Sequence, residues 1–126
     1  MAETEARVSI FKFVKELQTF PAGTTLMQQG DPGDVMYVIR DGEVDILLGG
    51  KRIETVGPDG IVGEMALIDD SPRSATAVAK TEVHAVAVDE NTFMRYASHT
   101  PFFALQVMRV MNERLRRMMT LHSQQA

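Results

Sequence analysis

The segment FPAGTTLMQQGDPGDVMYVIRDGEVDI, residues 20–46, alternates short runs of strand-forming residues with residues typical of turns. Proline, glycine and aspartate interrupt it at 21–23, 30–34 and 41–42. The Asp-Gly pair of the last interruption is a strong signal for a tight hairpin turn. The segment therefore predicts several short strands joined by tight turns.

The same spacing of turn residues continues to residue 88, with breaks at 49–50, 57–60 and 69–72. Six strands are predicted between the breaks, at 24–28, 35–40, 43–48, 51–56, 75–79 and 83–88. Strands of this number and spacing are typical of a small barrel, roll or sandwich. A Rossmann-type sheet is not indicated, because strands and helices do not alternate along the chain.

Helical signals replace this pattern after residue 88. Asp89 has the character of an N-cap for a short helix at 90–97. Pro101 suits the first position of a long helix that reaches about residue 121. Apolar residues at helical spacing also predict a short helix at 8–17. The expected order is short helix, β-roll, short helix and long helix.

The composition fits a single domain over residues 1–126, since 44% of the residues are hydrophobic and the net charge is −4. The absence of cysteine excludes disulfides and thiolate metal sites. The N-terminus is polar and acidic, unlike a signal peptide, and we expect a cytoplasmic protein that does not contact membranes. The expected core residues are Leu26, Val38, Val44, Ile46, Leu48, Ile53, Leu67, Val78, Val83 and Val88.

The segment GEMALIDDSPRSA, residues 63–75, carries the residues best suited to binding chemistry. Gly63 allows close backbone approach, and a helical turn at 64–67 would expose amides that attract a phosphate. Arg73 can donate two parallel hydrogen bonds to a phosphate. Glu64 cannot bind an anion, but it can accept a hydrogen bond from a hydroxyl. A sugar phosphate suits both side chains, and a structural salt bridge between them is the alternative.

Segments 63–67 and 72–76 resemble the phosphate-binding cassette of the cyclic-nucleotide-binding domain family. The turns within residues 20–46 are similar to those of the family's first strands. The family includes catabolite-activator-type regulators, regulatory subunits of cyclic-nucleotide-dependent kinases and gated channels. The resemblance implies a mainly β fold with flanking helices. A double-stranded, jelly-roll-like β-roll would occupy about 20–88, and a short and a long C-terminal helix would occupy about 89–121.

The resemblance also implies roles for individual residues. Glu64 would accept from the ribose 2′-hydroxyl, and Arg73 would bind the cyclic phosphate. The amides of Ala66 and Ala75 would complete the phosphate site, and Ser74 would reach the phosphate or the base. The expected ligand-binding residues are Gly63, Glu64, Met65, Ala66, Arg73, Ser74, Ala75 and Met118.

Base preference is less clearly implied. Relatives often place hydroxyl residues near the base where this chain has Met118 and Met119, and methionine would instead form an apolar lid. Ser74 occurs at this position in relatives of either preference. We expect cAMP to be favoured over cGMP, and we expect no cofactor besides this ligand.

The long helix has apolar residues at alternating four- and three-residue steps, which is typical of a coiled-coil seam. The seam consists of Ala104, Met108, Met111, Leu115 and Met118. It predicts a homodimer or an effector partner, whereas Phe102, Phe103 and Val107 are expected to pack against the roll. We expect the arginines of this helix, at 109, 114, 116 and 117, to form a solvated face.

Other functions receive less support. No helix-turn-helix follows residue 121, so direct binding of nucleic acid is not expected. His84, His99 and His122 are scattered, and no metal site or catalytic group is predicted. We therefore expect a non-enzymatic sensor that switches by repacking its C-terminal helices. The alternative is a degenerate roll that serves as a dimerisation or protein-interaction scaffold.

Overall fold

The computed structural model describes residues 16–68 and 71–125. Its elements are β1 (Gln18–Phe20), β2 (Thr25–Met27), β3 (Val35–Asp41), β4 (Val44–Leu48), β5 (Lys51–Val56), β6 (Ile61–Val62), α1 (Met65–Ile68), β7 (Thr76–Ala79), β8 (Val83–Asp89), α2 (Glu90–His99) and α3 (Pro101–Gln125). The predicted β-roll, followed by a short and a long helix, is confirmed. Most of the helix predicted at 8–17 lies outside the described residues.

Two four-stranded antiparallel sheets form the roll, with strand orders β1-β8-β3-β6 and β2-β7-β4-β5. Alternating residues of both sheets point between them and exclude water from a common core. This core contains Leu26, Met27, Ile39, Val44, Ile46, Val56, Val62, Ala75, Ala77, Ala79, Val83 and Ala85. Four of these residues are alanines, at 75, 77, 79 and 85, so β7 and β8 fill their part of the core with small side chains.

A second core lies between the first sheet and the C-terminal helices. Met36 and Val38 of β3 pack there, whereas Ile39 belongs to the core inside the roll. Phe103 of α3 is fully buried, and its ring lies 5.1 Å from that of Phe93 and 6.1 Å from that of Tyr96. The two helices are therefore held against the roll by apolar and aromatic contacts, which fixes the direction in which α3 leaves the roll.

Several expected core residues are placed differently by the structure. Leu48 is exposed because it is the last residue of β4 and lies beside the turn at 49–50. Phe102, which we expected to pack against the roll, is also exposed, and its neighbour Phe103 takes that place. The half-buried residues of the expected core are Ile53, Leu67 and Val78.

The junction between the roll and α2 is capped as predicted. The Asp89 carboxylate accepts a hydrogen bond from the backbone N–H of Thr92 at 2.8 Å. This backbone hydrogen bond is the main reason why the pKa of Asp89 is lowered from 3.8. The backbone N–H of Thr100 donates to the carbonyl of Tyr96, and α3 begins at the next residue, Pro101. Within 16–68 and 71–125, no helix is long and apolar enough to cross a membrane.

Candidate functional site

The predicted helical turn after Gly63 is present as α1. Gly63 has a φ of 81°, a backbone conformation that side chains with a Cβ rarely adopt. The backbone N–H of Leu67 donates to the carbonyl of Glu64 at 3.1 Å and so closes the turn. Glycine at this position lets the chain reverse immediately after β6, which brings Glu64 beneath α3.

Arg73 is buried in the loop that precedes β7. Its backbone N–H donates to Asp31 at 2.8 Å, and its carbonyl accepts from Gly30 at 2.9 Å. The Nη1 atom donates to the carbonyl of Gly63 at 3.2 Å. These bonds attach Arg73 to the turn between β2 and β3 on one side and to Gly63 on the other.

Two glycines leave the space that the Arg73 guanidinium occupies. A Cβ at Gly33 would lie 2.1 Å from Nε, and a Cβ at Gly63 would lie 2.6 Å from Nη1. Real Cβ atoms do not approach other atoms so closely, so any larger residue would displace the guanidinium. The sequence predicts only a turn at Gly33 and no contact with Arg73. Its position in a Gly-Asp-Pro-Gly-Asp run gives no local sign of contact with a residue forty positions away.

Glu64 is buried, with 6% of its surface exposed, and its partner comes from the C-terminal helix. Its Oε1 atom accepts a hydrogen bond from Arg114 Nη1 at 2.7 Å. Among the ion pairs of the described residues, none joins Glu64 to Arg73. The structural salt bridge considered as an alternative is thus replaced by a contact between the loop and α3.

The expectation that the arginines of α3 form a solvated face is wrong for Arg114. Its side chain is 20% exposed, donates from Nε to both carboxylate oxygens of Glu54 at 3.2 and 3.3 Å, and donates from Nη2 to the Ile61 carbonyl. Burial disfavours the charged guanidinium, but the carboxylates of Glu64 and Glu54 outweigh burial and raise the pKa of Arg114 above its ordinary value. Arg114 therefore stays charged throughout the physiological range.

The spacing of residues along α3 places Arg114 on the buried face of the helix. Val107 and Val110 are buried on α3, and Arg114 follows Val107 by seven residues, which places it on the same face of the helix. The neighbouring Arg117 also pairs with carboxylates, at 3.1 Å from Glu54 and at 3.1 Å from Glu113. A charged residue in register with a buried face is a candidate for an ion pair rather than for a solvated surface.

The structure brings most of the predicted ligand-binding residues close together around Gly63. The Ser74 hydroxyl, expected near the phosphate or the base, donates to Met65 Sδ at 3.4 Å. Ala75 is buried immediately before β7. Ala66 lies in α1. Met118 is different, since 46% of its surface is exposed on α3, and its role near the base remains a prediction.

A shallow pocket lies between β5 and α3, and its volume is about 270 Å³ including its open mouth. We refer to it as the β5–α3 pocket. It is lined by Glu54, Val56, Gly60, Val110, Glu113, Arg114 and Arg117. The sequence predicts Ile53 as a core residue of this strand and assigns no role to Glu54. Glu54 is largely buried because α3 covers the other face of β5, and a strand pattern alone does not show which helix covers it.

Histidines and carboxylates are also the side chains of this chain that could bind a metal ion. In the described ranges no group of three or more such residues is arranged to hold a metal ion. His84 lies between two surface carboxylates, with Nδ1 3.3 Å from Asp41 and Nε2 3.2 Å from Glu82. These contacts join the start of β8 to the end of β3.

Comparison with known proteins assigns the family. The family model for the cyclic nucleotide-binding domain matches residues 17–100, which include the roll, the Gly63 turn, Arg73 and α2. The chain belongs to this family. The resemblance inferred from the sequence is therefore confirmed.

Individual relatives agree with this assignment. The chain is 35% identical to a CRP-like cAMP-activated global transcriptional regulator of Mycobacterium tuberculosis over 93% of this chain and 59% of the relative. The Thermus thermophilus catabolite activator protein superimposes with a TM-score of 0.77 at 26% identity, over 86% of this chain and 53% of that one. This chain spans less than two thirds of the length of either protein.

A further solved structure extends the comparison beyond regulators. A structure titled as the EAL enzyme Bd1971 in a halfsite-occupied form has a TM-score of 0.64 and 31% identity, and the match covers 81% of this chain and 96% of that one. The roll with its C-terminal helices thus occurs in relatives with different overall roles, and this chain's own output is not determined by its fold.

Proposed function

We propose that this chain is a non-enzymatic sensor of a cyclic purine nucleotide and that it favours cAMP over cGMP. One observation carries the proposal: a buried carboxylate, Glu64, and a buried guanidinium, Arg73, flank the Gly63 turn with separate partners. Burying two charges is costly unless each has a function or a partner. A ligand with a hydroxyl at one end and a phosphate at the other suits both groups.

Arg73 suits the phosphate. A guanidinium has five N–H donors, and the bond to the Gly63 carbonyl uses one of them. Arginine forms short, charge-assisted and often bidentate bonds with phosphate oxygens. Because its backbone is bonded to the turn at 30–31, the side chain starts from a fixed position, which lowers the entropic cost of binding.

Glu64 suits the ribose hydroxyl, and its contact with Arg114 suggests how binding reaches α3. A carboxylate has about four acceptor positions, so a hydroxyl can bond to it while Arg114 remains paired. A ligand that bonds to Glu64 and so weakens or strengthens its bond to Arg114 shifts the relative populations of the positions of α3. The name of the Mycobacterium tuberculosis relative supports cAMP as the nucleotide.

Titration calorimetry with cAMP and cGMP tests the proposal. We expect Arg73→Ala to weaken cAMP binding roughly 30-fold or more, since loss of one partner of a buried charged contact costs about 2–5 kcal/mol. The cAMP affinity of Arg73→Lys should fall between those of Arg73→Ala and the wild type, because lysine keeps the charge but cannot bind in the bidentate mode. Arg109→Ala is the matched control: Arg109 is exposed and lies 5.4 Å from the Phe102 ring centre.

Equal affinity of Arg73→Ala and the wild type would contradict the role of Arg73. A wild type that binds neither nucleotide would favour the alternative, a degenerate roll that acts as a scaffold.

The proposed switch has a separate readout, amide hydrogen exchange of α3. Saturating nucleotide should change this exchange, and an unchanged pattern would rule out repacking of the helix.

A further inference from the structure

A hydrogen bond between two side chains joins the two segments of the proposed binding site. Met65 directly follows Glu64 in the chain, and Ser74 directly follows Arg73. The Ser74 hydroxyl donates to Met65 Sδ at 3.4 Å. The bond therefore connects the neighbour of the buried carboxylate with the neighbour of the buried guanidinium, and any change at the sulfur acts on both segments.

The acceptor of this bond is open to chemical change. Met65 is 47% exposed, and Ser74 is exposed as well, so a small solute in water can reach their contact. A thioether sulfur is only a weak hydrogen-bond acceptor. It is also the atom that oxidants convert to the sulfoxide, which turns an apolar side chain into a polar one. Oxidation would place a stronger acceptor at the contact between the two segments.

The other exposed methionines of α2 and α3 are placed differently, at 94, 108, 118 and 119. Within residues 16–68 and 71–125, the Sδ of Met65 is the one methionine sulfur that accepts a hydrogen bond from a side chain. Oxidation of the helix methionines would change the polarity of exposed helix surface. Oxidation of Met65 would change a defined contact of the proposed site.

We infer that Met65 is a modification site at which oxidation to the sulfoxide by hydrogen peroxide lowers the affinity for the nucleotide. The inference rests on the proposed function. A sulfur lone pair attacks one peroxide oxygen, and the S–O bond forms as the O–O bond breaks. The released hydroxide takes the proton of the transferred oxygen, so sulfur is oxidised by two electrons and peroxide is reduced to water. Methionine sulfoxide reductases reverse the change.

Two effects of the added oxygen oppose binding. The oxygen replaces the sulfur as the acceptor for Ser74, so the segments that carry Glu64 and Arg73 must shift if the bond is kept. The sulfoxide oxygen also carries partial negative charge, which repels a phosphate held at Arg73. We expect the affinity for cAMP to fall about three- to tenfold, the size of effect that one hydrogen bond has.

The test treats the chain with hydrogen peroxide and compares its cAMP affinity before and after treatment by titration calorimetry. Peptide mass spectrometry locates and quantifies each sulfoxide. The wild type should lose affinity about three- to tenfold, and a mixture of the two methionine sulfoxide reductases, one for each epimer, should restore it. Met65→Leu should keep its own starting affinity, because leucine is not oxidised under these conditions.

Met94→Leu is the matched control for Met65→Leu. Met94 is 58% exposed and lies on α2, so this variant should lose as much affinity on treatment as the wild type does. If Met65→Leu loses affinity to the same extent, a different methionine is responsible and the inference is wrong.

Two further outcomes would overturn the inference while the proposed function stands. One is a wild type that carries the sulfoxide at Met65 and binds cAMP with its starting affinity. The other is a Met65 that stays reduced while Met94 is oxidised, which would show that the sulfur is not reactive. If the untreated wild type binds neither cAMP nor cGMP, the proposed function itself fails, and the inference fails with it.

Discussion

Two glycines, Gly33 and Gly63, form the surface against which the Arg73 guanidinium lies. They come from different turns, and a Cβ on either would overlap the side chain of Arg73. The guanidinium is buried at this place because the backbone leaves room for it, and its hydrogen bond to the Gly63 carbonyl then fixes its direction. The position of the proposed phosphate-binding group therefore depends on two glycines that come from different turns.

Gly33→Ala should displace Arg73 and weaken cAMP binding about tenfold or more, since a misplaced donor loses the geometry of a bidentate bond. The same overlap should also lower stability by about 1–3 kcal/mol. Titration calorimetry and thermal unfolding measure the two effects.

Gly57→Ala is the control for Gly33→Ala. A Cβ at Gly57 would have no atom within 4 Å, and its φ lies outside the region that disfavours side chains. If Gly33→Ala binds cAMP as well as Gly57→Ala does, the guanidinium does not need the space that Gly33 leaves.

The sequence identified the residues of the site but not all of their contacts. Glu64 and Arg73 stand out because they flank a turn whose backbone amides can attract a phosphate, and the structure buries both. Arg114 and Glu54 did not stand out, because each lies in an ordinary amphipathic element. Their pairing joins residues sixty positions apart, and local spacing carries no information about which helix covers which strand.

At the scale of elements, turn chemistry predicted the strands well where the turns are tight. β5 has the predicted bounds, 51–56, and the other predicted strands differ from the observed ones by a few residues at most. β1 and β6 were missed because three- and two-residue strands give no measurable alternation. A period-two pattern also does not show where a strand stops, and Leu48 is exposed because β4 ends there.

The cap of α2 allows a prediction about pH. The native pKa of Asp89 is lowered, so its contribution to stability is present above the unfolded value of 3.8 and is lost as the pH falls through the native pKa. Asp89→Asn keeps a capping side chain but does not titrate. The thermal midpoint of the wild type should exceed that of Asp89→Asn at neutral pH, and the difference should shrink below pH 3.8.

Asp89→Ala provides the comparison without a cap, and it should be less stable than Asp89→Asn at every pH. Midpoints measured by circular dichroism between neutral and acidic pH separate the three proteins. A constant difference between the wild type and Asp89→Asn down to the lowest pH would show that the ionised carboxylate adds nothing to the cap.

At the scale of the whole molecule, α3 has two faces with different roles. One face carries Phe103 and Val107 into the second core and Arg114 into the ion pairs with Glu54 and Glu64. A different face exposes three residues of the predicted seam, Met108, Leu115 and Met118, which are 55%, 58% and 46% exposed. Of the other two, Ala104 is half-buried and Met111 packs against the second core. If α3 responds to ligand as proposed, its exposed apolar residues suit it to transmit that response to a partner.

We propose a second copy of the chain as that partner, because the seam has the alternating spacing that lets two identical helices pack against each other. The seam covers barely two heptads, so the dimer should dissociate on dilution. Leu115→Glu should weaken dimerisation by placing a charge at the centre of the seam, where it would be buried without a partner. Sedimentation equilibrium over a range of concentrations measures this effect.

Met94→Glu matches that substitution in exposure and charge, since Met94 is 58% exposed but lies on α2, away from the seam. It should leave dimerisation unchanged. Because Leu115 is exposed in the single chain, Leu115→Glu should retain the wild-type free energy of unfolding within about 0.5 kcal/mol at concentrations where both proteins are monomeric. A loss of dimer would then not reflect unfolding. A wild type that stays monomeric at high concentration, with and without nucleotide, would show that the exposed seam serves a different partner.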